Sequence, residues 1–405
     1  MKLLYCANIR LPTEKAHGLQ IMQNCEAFAG EGVEVRLWVA RRVNTPAMSA
    51  VSDVWAHYGV RRVFGVQRIP CLDLLPYVPA HGLLTRIAFY LQQFTYTLLL
   101  FIAALFTSAD VYYSRDALTI LALSLIKPRR ALAYEAHQLA VGRAGRWVQR
   151  QVVRRAGSVI AITPPLAHDL ASPGGMSQPS APGTPTSSFL VAHDGIRRQR
   201  FASMPSQAEA RAALGWPADA FIIGYVGRLQ TLSADKGVGT LVEALQHTSG
   251  VSLAIVGGPD DMAEALRQHW LKLGLPAANF LYAGQVAPEQ VPLCLSAFDV
   301  CAMPHPYTKQ FANYTSPLKL FEYMACQRPI VASDLPGWAD VISHEQTALL
   351  VPPSDASALA AAITRLHGDP ALRQHLADAA YQRVMAHYTW DARARAILGH
   401  LRRTD

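Results

Sequence analysis

The sequence predicts an α/β protein of two Rossmann-like domains, each a parallel sheet with helices on both faces. Three observations carry this reading. The chain has 405 residues, short β-branched runs alternate with helical stretches along it, and the alternation restarts after a Pro-, Gly- and Ser-rich interval near the middle. One core of that size is unusual, so two domains of roughly 200 residues are expected, facing across a cleft. Apolar residues make up 51% and charged residues 16%, which supplies ample material for buried sheets and argues against long disorder.

In the first half, Lys2 to Cys6 and Val33 to Ala40 read as strands flanking a helix from near Gly18 to about Ala29. Val111 to Ser114, Ala131 to Glu135 and Ser158 to Ile162 continue the series. Leu83 to Phe106 is strongly apolar but interrupted by Arg86, Gln92 and Gln93. Its uninterrupted part, Phe94 to Phe106, falls short of the roughly 20 residues that span a bilayer, leaving a buried core helix or an interfacial one in contact with membrane. Residues 172 to 188, dominated by Pro, Gly and Ser, are expected to form a mobile surface loop.

The strand-like FLVAH, Asp194-Gly195 and the basic IRRQRF then lead into a second series. Its strands are Phe221 to Val226, Ser252 to Val256, Phe280 to Ala283, Val300 to Met303, Pro329 to Ala332 and Ala348 to Val351. Helices fall between them at Gly239 to Gln246, Asp261 to Leu273, Pro317 to Cys326 and Ser357 to His367. The tail from Pro370 to Arg403 is helical with a break around Tyr388 to Asp391, and its last helix is placed to cross back to the first domain. Domain limits follow as 1–193 with 389–405, and 194–388.

The net charge of +8 is unevenly divided: residues 1 to 200 carry 22 Lys/Arg against 11 Asp/Glu, and the remainder 15 against 18. The basic residues lack interleaved aromatics or a recognisable nucleic-acid module, so an anionic membrane surface ranks ahead of nucleic acid, with a merely soluble basic face still open. Six cysteines without a CxxC pair read as reduced core residues, and the N-terminal apolar run is too short for a signal peptide. A cytoplasmic protein is expected, peripheral on the inner face of the cell membrane if the basic half touches lipid.

The chemistry concentrates in the second half. The strand Phe221 to Val226 ends in Gly227-Arg228, and a loop passes through Asp235-Lys236-Gly237 into a helix. Ligands of doubly wound sheets sit at the carboxyl ends of strands, where helix N-termini also offer N–H groups to anions. An Arg fork and a Lys point charge there suit two phosphates and the charge of a departing diphosphate; a surface salt-bridge pair is the plain alternative. Further on, Ser316 reads as an N-cap and Pro317 as the first residue of a helix in which Leu318, Lys319 and Glu322 follow. A cation in the first turn is disfavoured by the helix dipole unless an anion is nearby, so Lys319 hints at bound phosphate. Glu322 suits two ribose hydroxyls, or is half of an ordinary Lys–Glu helix pair.

With these residues in view, Gly227-Arg228, Lys236-Gly237 and SPLKLFEYMACQRPIVASDLPG strongly resemble the retaining GT-B glycosyltransferases of family 4, in a subset with an SPLK-type donor helix. The similarity runs over nearly the whole chain. It implies that Arg228 and Lys236 bind the donor diphosphate, that Glu322 binds the nucleotide ribose, and that Gly18, in HGLQIMQNCEAFAGEGVEV, belongs to the loop approaching the donor phosphate. His137, in YEAHQL, would match the histidine beside the transferred sugar, with Glu135 a weaker candidate; AHDGI matches the linker between domains. The family's two glutamates lie eight positions apart, yet the position eight before Glu322 is Tyr314, so Asn313, Tyr314 and Thr315 are expected to line an altered sugar pocket.

The resemblance implies transfer of a sugar from a nucleotide-sugar to a glycan or lipid-linked acceptor, by a hexosyltransferase-type enzyme that retains anomeric configuration. No DxD motif offers a carboxylate pair to a divalent metal, so no metal site is expected, no cofactor is called for, and His137, Arg228 and Lys236 are the catalytic candidates. GxGxxG is missing after the first strand and GxxxxGK[ST] is absent, which speaks against a dehydrogenase and a P-loop kinase. A nucleotide-sugar epimerase on the same fold and a non-catalytic nucleotide-sugar-binding protein remain as alternatives.

Overall fold

The first strand, β1 (Lys2–Ala7), buries five of its six residues, as a central strand covered on both faces must. It belongs to a computed structural model that describes residues 1–172, 188–231 and 234–403. The chain divides into two units: Met1–His193 with the segment from Trp390, and Asp194–Thr389.

In the first unit β1 is followed by α1 (Ala16–Gly30), β2 (Glu34–Arg41), the one-turn helices α2 (Pro46–Ser49) and α3 (Val54–His57), and β3 (Gly65–Pro70). Then come α4 (Leu83–Leu105), β4 (Val111–Ser114), α5 (Ala117–Leu123), β5 (Leu132–Ala136), α6 (Gly142–Arg155), β6 (Ser158–Ala161), α7 (Pro164–Ala171) and β7 (Phe189–Val191). The strands form one parallel sheet in the order β3-β2-β1-β4-β5-β6-β7. The order reverses between β1 and β4, the switch point at which such sheets bind ligands. The Pro-, Gly- and Ser-rich interval, expected as a mobile loop, lies outside the described residues apart from its ends.

Leu83 to Phe106, read as either a buried core helix or an interfacial one, forms a helix that is buried along one stripe only. Helix α4 buries Ala88, Gln92, Gln93, Tyr96, Leu100 and Ala104, while Leu83, Ile87, Tyr90, Phe94, Leu98 and Leu105 are exposed. The inward glutamines are well satisfied: Asn8 Nδ2 donates to Gln93 Oε1 at 2.6 Å, and Gln93 Nε2 donates to Asp116 Oδ2 at 2.8 Å. Burying amides costs little once they are hydrogen-bonded, so the glutamines are tolerated among Ala88, Tyr96, Leu100 and Ala104 on the inward stripe, while a second apolar stripe stays outside.

The second unit runs α8 (Gln207–Leu214), β8 (Phe221–Val226), a two-residue pair β9 (Gln230–Thr231) and β10 (Ala234–Asp235), α9 (Val238–Leu245), β11 (Val251–Val256), α10 (Asp260–Lys272) and β12 (Phe280–Gly284). It continues through α11 (Val291–Ser296), β13 (Val300–Met303), α12 (Lys309–Asn313), α13 (Leu318–Ala325), β14 (Ile330–Ser333), β15 (Leu349–Val351), α14 (Ala356–Gly368) and α15 (Pro370–His387). Its sheet is parallel in the order β12-β11-β8-β13-β14-β15, with the switch point between β8 and β13. Two apolar cores cover its faces, one around Phe298, Phe321 and Trp338 and the other around Leu241, Trp270 and Ile363.

The last helix, α16 (Trp390–Arg403), packs on α1 in the first unit. Arg393 on it donates to Asn24 Oδ1 at 3.1 Å and to the His193 carbonyl at 3.0 Å, and Arg395 pairs with Glu31 at 2.9 Å.

Candidate active site

At the switch point of the second unit the backbone leaves no room for side chains. Gly227, directly after β8, has φ of 127° and donates its N–H to the Val256 carbonyl at 2.6 Å. A Cβ added there would lie 1.7 Å from Lys319 Cε. Lys319 therefore reaches from α13 across the end of β8, over the glycine. Replacement of Gly227 by alanine would meet both a disfavoured φ and the lysine. We expect it to weaken binding of inorganic pyrophosphate, a probe for an anion at this point, at least about tenfold, read by calorimetry, because the lysine must leave its place.

Lys236 arrives from the other side, on the loop into α9. Its N–H donates to the Leu229 carbonyl at 3.1 Å, and the next residue, Gly237, opens α9 at φ 79°. A Cβ on Gly237 would come within 1.8 Å of the Pro304 carbonyl after β13, so the two loops flanking the switch point touch through backbone. The Lys236 and Lys319 side chains approach closely enough to repel each other's charge. Burial pushes the Lys236 ammonium down to about 7, assisted by the charges of Lys319 and Arg228. Lys319 is likewise lowered, by burial first, against the opposing pull of Glu322. Arg228 is the exposed member of the trio, and its carbonyl accepts from the Tyr225 hydroxyl at 2.8 Å. Three cationic side chains converge where the fold places a ligand, an arrangement that fits an anion of two or more charges.

Two residues that the sequence reading left out join this cluster. His305, after β13, is 2% exposed and packs edge-on against Phe311 and Trp338. Burial, then the charges of Lys236 and Lys319, hold it at about 3, hence neutral. Among the described residues its Nδ1 has no hydrogen-bond partner. Arg200, from the IRRQRF segment noted only as basic, places Nη1 3.2 Å from Glu322 Oε1. Burial raises Glu322, while Arg200 and Lys319 counter it. No short-range signal links residues 200 and 322; their meeting is purely tertiary.

The helix start differs from the sequence reading. Helix α13 begins at Leu318 with Pro317 as its cap position, one residue later than expected. Ser316 does not cap it: its Oγ accepts the Asp194 N–H at 3.0 Å, so a partner 122 residues away wins the hydroxyl. Thr315 Oγ1 donates to the Gln310 carbonyl at 2.9 Å, and Tyr314 is buried with its N–H on the same carbonyl at 3.0 Å. Gly227, Arg228, Lys236, Lys319 and Glu322 thus come together, with Tyr314, Thr315, Ser316, Pro317 and Leu318 forming the turn that delivers Lys319.

Gly18 and His137 belong to the first unit. Gly18 sits in the first turn of α1, where a Cβ would lie 2.5 Å from both Thr13 Cγ2 and the Tyr58 hydroxyl, so packing alone demands a glycine. His137 follows β5, with Nε2 2.5 Å from Glu135 Oε1. Glu135 is fully buried and also meets Arg115 Nη2 at 2.9 Å, Arg393 Nη2 at 3.0 Å and the Tyr113 hydroxyl. Burial raises its carboxyl, but Arg115, Arg393 and His137 together hold it well below the usual range. An ionised carboxylate only accepts, so the His137 proton is fixed on Nε2. Among the described residues no group of three or more His, Cys, Asp or Glu side chains is placed to hold a metal ion.

These two parallel-sheet units define the GT-B fold class. The chain superposes over its full length on 98% of sucrose-phosphate synthase from Thermosynechococcus elongatus, with a TM-score of 0.73 and 22% identity. It covers all of Anabaena HepE, solved in complex with UDP, at 0.72 and 18%. At the level of family, residues 220–369 match the Glycosyl transferases group 1 model. Among curated relatives, D-inositol 3-phosphate glycosyltransferase of Kineococcus radiotolerans is 29% identical over 282 residues, 64% of this chain and 60% of that protein. The same-named protein of Streptomyces bingchenggensis matches at 28% over 51% of this chain and 46% of its own length. The chain thus spans about half to three fifths of these relatives.

Proposed function

We propose that the protein is a glycosyltransferase that moves a sugar from a nucleotide-sugar donor to a glycan or lipid-linked acceptor. The observation that carries this is the meeting of Lys236, Lys319 and Arg228 at the β8/β13 switch point, cations without a matching set of carboxylates. The group 1 match over the same unit and the UDP held by the structural neighbour HepE support a nucleoside diphosphate as the anion. In this reading the three cations neutralise the departing diphosphate, so transfer needs no divalent metal or other cofactor, and Glu322 accepts hydroxyl hydrogen bonds from the ribose.

The finer assignment follows the family 4 resemblance and its SPLK-type subset: a hexosyl donor, retention at the anomeric carbon, and acceptor deprotonation helped by the departing phosphate on the same face. His137 positions the sugar, and Gly18 lets the backbone approach the donor. Tyr314 in place of the expected glutamate gives the sugar pocket a phenol where a carboxylate would accept hydroxyls, so the preferred sugar differs accordingly. The protein acts in the cytoplasm. We expect UDP, GDP, ADP or TDP to raise the melting temperature in a thermal-shift screen, and the matching nucleotide-sugar to release free sugar slowly. A nucleoside diphosphate that binds tightly with no turnover of any donor or acceptor points to a binding protein. Interconversion of sugar epimers without transfer points to an epimerase, and the absence of any shift removes the nucleotide reading altogether.

A further inference from the structure

Helix α4 carries an apolar stripe on its outer side as well as its inner one. At about 100° per residue, Leu83, Ile87, Tyr90, Phe94, Leu98 and Leu105 fall in one stripe, and all are exposed, Leu83 at 70% and Phe94 at 64%. The opposite stripe, with Gln92 and Gln93, faces the sheet. A helix of 23 residues extends about 34 Å, so this is a long apolar ridge rather than a scatter of single residues.

The neighbours of the ridge extend it. Helix α4 packs beside α5, and α5 beside α6. All three connect parallel strands in the same direction across the sheet, β3 to β4, β4 to β5 and β5 to β6, so right-handed crossovers place them on one face. Next to the ridge, Leu125 after α5 is 72% exposed and Trp147 on α6 is 59% exposed. On α6, Arg143, Arg146, Arg150 and Arg154 recur every three or four residues on the side opposite buried Val152, and all are exposed.

Charge selects the occupant. From residue 83 to residue 157 the chain has ten Lys/Arg and three Asp/Glu. Of the three acids, Glu135 is buried among arginines, Asp116 caps α5 and accepts from Gln93, and Asp110 accepts the N–H of Lys2. An apolar ridge beside a row of arginines complements a surface that is apolar beneath and anionic at its boundary.

We propose that the face formed by α4, α5 and α6 docks on an anionic lipid bilayer, with the α4 ridge entering the headgroup–acyl boundary and the α6 arginines contacting lipid phosphates. Helix α4 is long and apolar enough to cross a bilayer by length and composition. Its inward stripe is instead committed to the sheet, through Tyr96, Leu100 and the glutamine hydrogen bonds, so it lies along the interface.

Sedimentation of the full chain with vesicles tests this. We expect binding to phosphatidylcholine vesicles containing phosphatidylglycerol, little binding to phosphatidylcholine alone, and release by high salt. Arg146→Glu with Arg150→Glu should lower binding about thirtyfold or more, and Phe94→Glu with Leu98→Glu should do the same, with melting temperatures unchanged because all four side chains are exposed. The proposal is overturned if the intact chain stays in the supernatant with both vesicle types. It also fails if alkaline washing leaves the protein in the membrane, the sign of a spanning helix. A third outcome against it is a dimer that Phe94→Glu with Leu98→Glu turns into a monomer without vesicle binding, since a second copy then covers the face.

Discussion

Lys236→Ala is expected to weaken nucleoside diphosphate binding by about ten- to a hundredfold and to cut transfer about 10²- to 10³-fold, the range for removing a charged donor from a preorganised site. In the proposed transfer reaction, the larger effect on transfer follows from where the charge acts, since a diphosphate gains negative charge as a sugar departs from it. The same lysine predicts a pH dependence. Burial and the neighbouring cations hold it at about 7 in the empty protein, whereas an anion beside it restores a value nearer the ordinary 10.5. Between those limits the complex holds more protons than the free protein, so binding takes up a proton and affinity falls as pH rises above about 7, by up to about tenfold per unit. For folding of the empty protein the sign is opposite. The unfolded lysine keeps its proton to higher pH than the folded one, so this group's contribution to stability improves as pH rises through the same window. Calorimetry in buffers of different ionisation heat reads the proton uptake directly. An affinity independent of pH across that window would show that the lysine pair does not meet the anion.

Glu135→Ala should lower the stability of the first unit by about 3–5 kcal/mol, because it leaves Arg115 and Arg393 buried without their shared carboxylate. Glu135→Gln keeps the volume and a hydrogen bond to one arginine, so its loss should be smaller. His137 would lose the acceptor that fixes its Nε2 proton, and α16 would lose an anchor at Arg393. The depressed carboxyl also has a pH signature: its stabilisation is complete above the ordinary carboxylate range and disappears only as pH falls through its lowered folded value. Thermal melting of both variants is the measurement, and an alanine variant that melts with the parent protein would mean the cluster is structurally idle.

The legibility of the sequence varied with the physics of each element. Strands β8 and β13 were readable because central parallel strands are buried on both faces and appear as unbroken apolar runs. Strand β3 was not, since GVQRIP lies at the sheet edge with little of it buried. Arg228, Lys236 and Lys319 stand out in the sequence as cations at the ends of strands and starts of helices, and the structure brings them together. His305 and the pairing of Arg200 with Glu322 were hidden, because burial and contact over 122 residues leave no local pattern. The capping role of Ser316 was misread for the same reason: local preference pointed to the helix, and the distant Asp194 N–H took the hydroxyl. Composition found α4, but could not say that its glutamines face in.

The ion cluster around Glu135 draws on Tyr113, Arg115 and His137 from the first unit's sheet region and on Arg393 from the last helix. A chain made from its N-terminus therefore exposes Glu135 and Arg115 long before Arg393 exists, with the whole of Asp194–Thr389 still to be synthesised. The first unit to emerge is the last to be completed. Its buried carboxylate and the face of α1 wait for α16, so loss of α16 reaches back across the whole second unit to the first.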